Sequence, residues 1–376
     1  MPCSTARRPA HWPASRVMAV TELGPPKGRN GGSPLGVRMD DVAQLAQVSR
    51  ATVSRVLMGH SSVSPKTQEK VNRALRELGY VPNMIASGLA AKGSDLVGLL
   101  LRDPRNPAYG LLHSEIQNEA SRAGLQLITV VPTATQGADD ELTGLRRLLG
   151  LRVGGLMVST GVIKAHDLEP FLDSVPVVSV GRMEEHPGIY GVSYDEDTNG
   201  AILADRVAAA GHRSVAVVVP AFSLSTAENR RGLSMAAHLR GRGIEVHQLD
   251  TDLFGSSVDG CEDIVRLAGE GRITAAMFPS DTRAISFMPF AKAAGLRIPE
   301  DLSITGCDGI LMGADQIGIA TLRIPVHDVA VRGTAVMAEL IKNRSSATIE
   351  HERFAGVFVP GRSLAAPRAI NETRVL

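Results

Sequence analysis

Cysteine is nearly absent from the 376 residues, with Cys3, Cys261 and Cys307 as the whole supply. Three thiols without a CxxC spacing exclude both a disulfide framework and a zinc finger. Aromatic residues are scarce at 3%. No apolar run approaches the roughly 18 residues that a membrane-spanning helix needs. Catalytic strings are missing as well: no GxSxG, HExxH or GxxxxGK[ST] occurs, and no GxGxxG follows a strand. The 10 His are scattered, none at metal-ligand spacing. Paired acids such as Asp139-Asp140 and Glu184-Glu185 read as solvated loop surface. These absences leave enzymatic chemistry, a metal site and a cofactor without positive support. Net charge is the last scarcity, since 40 basic side chains against 39 acidic leave +1. As a total it argues against a nucleic-acid partner. What is present is a 44% hydrophobic composition and enough length for two or three domains with buried cores.

The distribution of charge reverses the first impression. Residues 1–92 carry 13 basic and 5 acidic side chains, and the remainder carries 27 and 34. A +8 head is thus joined to a −7 body. Over residues 37–92 alone the count is 8 basic against 4 acidic. A basic head on an acidic body is the electrostatic footprint expected of a DNA-binding module attached to a different one. Residues 1–36 read as a disordered basic tail, rich in proline and glycine and without the apolar core of a secretory signal. They are either a flexible arm or the product of an upstream start codon.

From Asp40 the pattern becomes helical. Val42, Leu45 and Ala46 predict the inner face of a short helix. Ser49 is placed to cap a second helix from Arg50 to about Met58, with Val53, Val56 and Leu57 inward. Ser64-Pro65 starts a third, whose stripe is Val71, Ala74, Leu75 and Leu78, and Gly79 stops it. Two short helices across a tight turn, buttressed by a third, make a helix-turn-helix. The outer face of the second helix offers Ser49, Arg50, Ala51, Thr52, Ser54 and Arg55: small hydroxyls that bond phosphate, and arginines that bond guanine bidentately.

The string Val48-Ser-Arg-Ala-Thr-Val-Ser-Arg-Val-Leu57 resembles the recognition segment of the LacI (lactose/galactose repressor) family of transcription regulators. So do Ser64-Pro-Lys-Thr, Leu75-Arg-Glu-Leu-Gly-Tyr-Val-Pro-Asn83 and the hinge-like Ile85-Ala-Ser-Gly-Leu-Ala90. The resemblance covers nearly all of the chain after residue 37. It implies that Arg50, Ala51 and Arg55 face base edges in the major groove. It implies that Ser49, Thr52, Ser54, Ser64 and Thr67 bond phosphates, and that Asn83 and Ala86 lie at the minor groove. Leu89 becomes an apolar wedge that kinks the duplex, a device that exchanges unstacking for extra contact. Departures from the family occur at Arg38 (usually a capping Thr), Gln47 (usually Gly), Met58 (commonly Asn) and Gly88 in the hinge. The glycine predicts a hinge helix that orders only on DNA, and the changes together predict weaker phosphate clamping.

Beyond residue 95, apolar runs alternate with amphipathic stretches. Strands are predicted at Leu96–Leu101, Leu125–Val131, Val153–Val158, Val175–Val180, Val215–Val219, Ile273–Phe278 and Leu302–Thr305. Helices are predicted near 110–123, 138–149, 199–210, 228–241, 259–269, 282–294 and 327–343. The rhythm predicts an α/β body of two doubly wound parallel-sheet lobes with a cleft between them. The resemblance implies that this body is periplasmic-binding-protein-like, with crossings near 195, 324 and 356. The expected organisation is a head at 37–82, a hinge helix and linker at 83–94, and an effector-binding and dimerisation body at 95–376. One lobe would hold about 95–195 and 325–356, the other about 196–324 and 357–376.

Family position also implies a set of effector contacts: Tyr109, Asp195, Asp281, Phe254 as an aromatic platform, and Asn229 with Arg230. The arginine that members place three residues before Gly232 is Asn229 here, and Cys307 replaces an aromatic, which argues against a simple hexose. The expected function is a ligand-responsive, operator-binding repressor. It would act in the cytoplasm as a homodimer or higher oligomer, on double-stranded DNA and a sugar, sugar phosphate or nucleoside-like effector, with no membrane partner. A DNA-binding regulator without an effector, a solute-binding protein and an enzyme on the same fold are the alternatives.

Overall fold

The computed structural model describes residues 37–57, 62–80, 94–132, 138–252, 259–344 and 348–368. The chain divides into two compact units at Asn83/Met84. The tail at 1–36 and the expected hinge helix lie outside the described residues, as do Met58, Gly88 and the sites Asn83, Ala86 and Leu89.

The first unit contains α1 (Met39–Ala46), α2 (Arg50–Leu57) and α3 (Pro65–Leu78). Their shared core is Val42, Ala43, Ala46, Val53, Val71 and Ala74. Leu45, expected inside, is 43% exposed, and Ala43 takes its place. At roughly 100° per residue, positions 42, 46 and 43 fall within one arc, whereas 45 lies well outside it. The Ser49 hydroxyl accepts the Thr52 amide at 3.1 Å, and the Ser64 hydroxyl accepts the Thr67 amide at 3.3 Å. These two caps satisfy donors that the first helical turns leave orphaned. At Arg38 the cap works differently, because its backbone N–H donates to the Asp41 carboxylate at 2.7 Å. Gln47 sits in the left-handed region at φ 54°, the strain expected of a side chain where glycine is usual.

The second unit opens with β1 (Leu96–Leu101), α4 (Pro107–Arg122), β2 (Gln126–Val130), α5 (Ala138–Gly150) and β3 (Gly155–Ser159). It continues with α6 (Ala165–Leu172), β4 (Val177–Val180), β5 (Tyr190–Tyr194), α7 (Glu196–Ala209), β6 (Ser214–Pro220) and α8 (Thr226–Gly241). Then come β7 (Glu245–Thr251), α9 (Cys261–Gly269), β8 (Ala275–Met277), α10 (Asp281–Ala293) and β9 (Ser303–Thr305). The last elements are the short α11 (Ala314–Ile317), β10 (Thr321–Arg323), α12 (Val326–Lys342), β11 (His351–Phe354) and β12 (Val357–Val359).

One sheet has the order β11-β5-β4-β3-β1-β2, and a second the order β7-β6-β8-β9. Every pairing in both is parallel. Parallel sheets must bury both faces, and β1 shows how. Val97, Leu99 and Leu101 enter one core, and Leu100 enters another with Leu145, Leu148 and Val158. The antiparallel pair β10–β12 links the lobes beside the crossovers. At Gly356, just before β12, an added Cβ would lie 2.5 Å from the Arg323 carbonyl, so the two chain passages touch only because glycine stands there.

His212 shows how the segment after β12 is fastened. Its Nε2 pairs with the Ala365 carbonyl at 3.0 Å and its Nδ1 with the Thr274 hydroxyl at 2.8 Å. Burial holds the imidazole below its ordinary value, although the Ala365 carbonyl pulls the other way. The unfolded chain therefore takes up this proton more readily than the folded one. The His212 contribution is complete above the free-histidine value of about 6.5 and is lost as pH falls through the depressed folded value. Between about pH 8 and pH 5, unfolding midpoints should fall more steeply for the native chain than for His212→Gln; parallel slopes would remove the assignment.

Candidate DNA interface and effector cleft

In the head, capping and packing leave the residues expected to face DNA at least partly exposed. Ser49, Arg50, Ala51, Arg55 and Ser64 are exposed, and Thr52, Ser54 and Thr67 are half-buried. The Ser49 and Thr52 hydroxyls are 2.9 Å apart, as are those of Ser64 and Thr67. Each pair stands at a helix start, where backbone N–H groups and hydroxyls together suit a phosphate. Arg50 and Arg55 are both exposed on α2. Arg50 has an exposed acid, Asp40, at 3.9 Å. In water that contact is weak enough to be exchanged for a stronger partner.

In the body, two cavities adjoin along the C-terminal ends of the strands. The larger is about 280 Å³ and is lined by the loop 161–165, by 181–185, and by Tyr194, Glu196, Phe222, Thr226, Ala227 and Arg230. The smaller, about 40 Å³, is lined by Tyr109, Leu112, Glu228, Arg231, Asp308 and Ile324 among others. Gly181, Tyr194, Glu196 and Ala227 border both. The lobes meet closely beside Gly161, where a Cβ would lie 3.2 Å from the Thr226 hydroxyl and 3.3 Å from the Arg102 guanidinium.

The floor is an ion cluster. Arg231 donates through Nε and Nη2 to the two oxygens of Glu196 at 2.7 and 2.8 Å, and through Nη1 to Asp308 at 3.3 Å and to the Pro279 carbonyl. Its side chain is 3% exposed. Burial drives the Asp308 carboxyl well above the usual range, although Arg231 pulls it down. Glu196 holds Arg231 bidentately, and Asp308 adds one longer contact. Burial likewise raises the Tyr109 and Tyr194 phenols. On the opposite wall, Arg182 donates to the Thr160 and Ile163 carbonyls at 3.2 and 2.8 Å and contacts Glu184 at 3.4 Å. Glu141 accepts from the Thr160 hydroxyl and the Ile163 amide, and its burial raises its pKa.

The expected effector residues are dispersed around this geometry. Tyr109 lines the smaller cavity and Arg230 the larger. Asp195 caps α7, accepting from the Thr198 amide at 3.0 Å and hydroxyl at 2.7 Å. Its neighbour Glu196 is the one that borders both cavities. Asn229 donates to the Pro220 carbonyl at 2.7 Å. Asp281 is buried and accepts from the Thr321 hydroxyl at 2.6 Å and the Gly309 amide at 2.8 Å. Phe254 lies outside the described residues, whereas Phe222, 63% exposed, borders the larger cavity. Sequence reading missed Glu196, Arg231, Asp308 and Arg182. A charged residue at a strand end, followed by an apolar helical stripe, was the available signal for Glu196.

Comparison with known proteins agrees with both units. The pattern of bacterial regulatory proteins of the lacI family matches residues 38–83, and that of a periplasmic binding protein-like domain matches 204–364. A ribose operon repressor from Lactococcus lactis subsp. lactis is 31% identical over 280 residues, which span 72% of this chain and 80% of that protein. Catabolite control protein A from Priestia megaterium is 28% identical over 322 residues, spanning 84% and 95%. The crystal structure of the lac repressor dimer, bound to operator and the anti-inducer ONPF, superposes with a TM-score of 0.76 at 23% identity. It covers 88% of this chain and 100% of that one, and shares the fold. The chain belongs to the lacI family of bacterial regulatory proteins, and is a DNA-binding transcriptional regulator with a periplasmic-binding-protein-like body.

Proposed function

We propose that this regulator is a repressor that reads a near-palindromic operator as a homodimer in the cytoplasm, and that a small polyhydroxylated effector seats in the cleft. The observation that carries this reading is the joining, in one chain, of a hydroxyl-capped helix surface bearing Arg50 and Arg55 to a two-lobed body with an ion-floored cleft. Arg50, Ala51 and Arg55 read bases, the hydroxyls of Ser49, Thr52, Ser54, Ser64 and Thr67 hold phosphates, and the segment 83–94 supplies Asn83, Ala86 and the wedge Leu89. Two heads would engage half-sites about 34 Å apart. In the cleft, Glu196, Asp308, Tyr109 and Arg230 supply polar groups and Phe222 an apolar face, a combination that suits a sugar or nucleoside ring. An effector alters operator binding only through unequal affinity for the two lobe angles.

Selection of bound genomic fragments tests the DNA reading: one enriched inverted repeat supports it, and uniform recovery overturns it. A thermal-shift screen of sugars, nucleosides and their phosphates tests the cleft. A second reading, regulation without an effector, is favoured by the internal acceptors that already occupy Arg231. An operator found without any stabilising compound would establish that second reading over the first.

A further inference from the structure

Four charged side chains meet beside the cleft, two from each lobe. Glu185 follows β4 and Arg353 lies on β11, both in the six-stranded lobe. Asp197 lies on α7 and Arg230 on α8, helices that pack together beside the four-stranded sheet. Within the second lobe, Arg230 grips Asp197 at 2.9 Å through Nε and 2.8 Å through Nη2. Within the first, Arg353 stands 3.6 Å from Glu185. Across the gap each acid faces the other lobe's base, Glu185 to Arg230 at 4.0 Å and Asp197 to Arg353 at 3.9 Å.

We propose that these four residues form an electrostatic latch that sets the angle between the lobes. Both cross-lobe contacts stand at the outer limit of an ion pair. A slight closing movement brings them to hydrogen-bonding distance, and a slight opening movement breaks them together. The residues lie next to two of the crossovers, since the Asp195 amide donates to the Phe354 carbonyl at 2.9 Å. A change of a few tenths of an ångström there becomes a larger displacement at the far ends of the lobes. All four side chains are at least one-third exposed, between 34% and 71%, so salt reaches the latch and screens it. Glu185 and Arg230 also line the larger cavity, so the test is made without added ligand.

The test is an interlobe distance measured by pulsed electron paramagnetic resonance on the full chain. Spin labels are placed at Ser174→Cys and Lys292→Cys in a Cys3→Ser background, and the labelled chain is diluted with unlabelled chain. Exchanging the charges of the first lobe, Glu185→Arg with Arg353→Glu, keeps net charge and the pair within that lobe. It sets like charges opposite each other across the gap, and the distance distribution should move outward by several ångströms. Adding Asp197→Arg with Arg230→Glu restores complementarity, and the distribution should return. Raising salt from about 0.01 M to 1 M shortens the screening length from about 30 Å to 3 Å and should open the unsubstituted chain. An unmoved distribution in the first exchange, or no return in the second, overturns the latch. If the exchanged chains do not fold, the salt response of the unsubstituted chain decides, and its absence is equally fatal to the proposal.

Discussion

Replacing Glu196 by alanine is expected to lower the stability of the body by about 3–5 kcal/mol, because it strands the buried Arg231 charge. Glu196 receives two of the guanidinium's hydrogen bonds, and neither side chain is more than 3% exposed. Its removal also reaches the next passage between lobes. The Asn199 amide donates to Glu196 at 3.3 Å, and the Asn199 oxygen accepts the Gly356 amide at 2.8 Å. The same denaturation series distinguishes the roles of the two acids that share Arg231. Asp308→Asn should cost no more than about 1 kcal/mol, since Asp308 makes only one contact to Arg231, at 3.3 Å, and the amide preserves its shape. Urea midpoints for the body transition, read with unchanged slopes, give both values. Equal losses in the two variants would show that the two acids share the role equally, and would overturn the assignment of Glu196 as the main counter-ion.

Glu196 was not legible in the sequence, and the reason is physical. Family position pointed to Asp195, and both acids stand at the start of one helix. Which of them caps and which turns into the cleft depends on one step of helical rotation and on where Arg231 arrives from α8. The same holds for Arg230 and Arg231: adjacent residues on a helix diverge by about 100°, so one faces solvent and Asp197 while the other enters the buried floor. The predicted strands and helices of the body were legible within three residues of their ends, because apolar runs and 3.6-residue stripes are local signals. Of the unpredicted elements, the buried strand Tyr190–Tyr194 was missed because Gly191 and Ser193 interrupt its apolar run, and the others lack such a signal. Glu245–Thr251 and His351–Phe354 are polar edge strands, paired on one side only. The short helix Ala165–Leu172 carries Pro170 within it, and β10 and β12 are three residues each. In the head, capping grammar located all three helices, and the error at Leu45 was one of rotation, not of extent.

Arg50→Ala is expected to weaken operator binding by about 1–3 kcal/mol per half-site, hence roughly twice that for a dimer engaging both halves. The side chain is 69% exposed on the first turn of α2, with no packing role to confuse the result. Asp40 at 3.9 Å is its only ion-pair partner among the described residues, and an exposed pair of this kind yields readily to a guanine edge. Losing a bidentate base contact makes all four bases nearly equivalent at one operator position in each half, while the other positions keep their preferences. Losing a phosphate contact instead weakens every sequence alike and lowers the salt slope by about one counter-ion. The two outcomes separate in one experiment: affinities of the native and substituted proteins for operators varied singly at each position, at two salt concentrations. A uniform loss with a reduced slope would move Arg50 from the reading surface to the phosphate clamp formed by Ser49 and Thr52. It would leave Arg55 as the arginine through which α2 distinguishes one base pair from another.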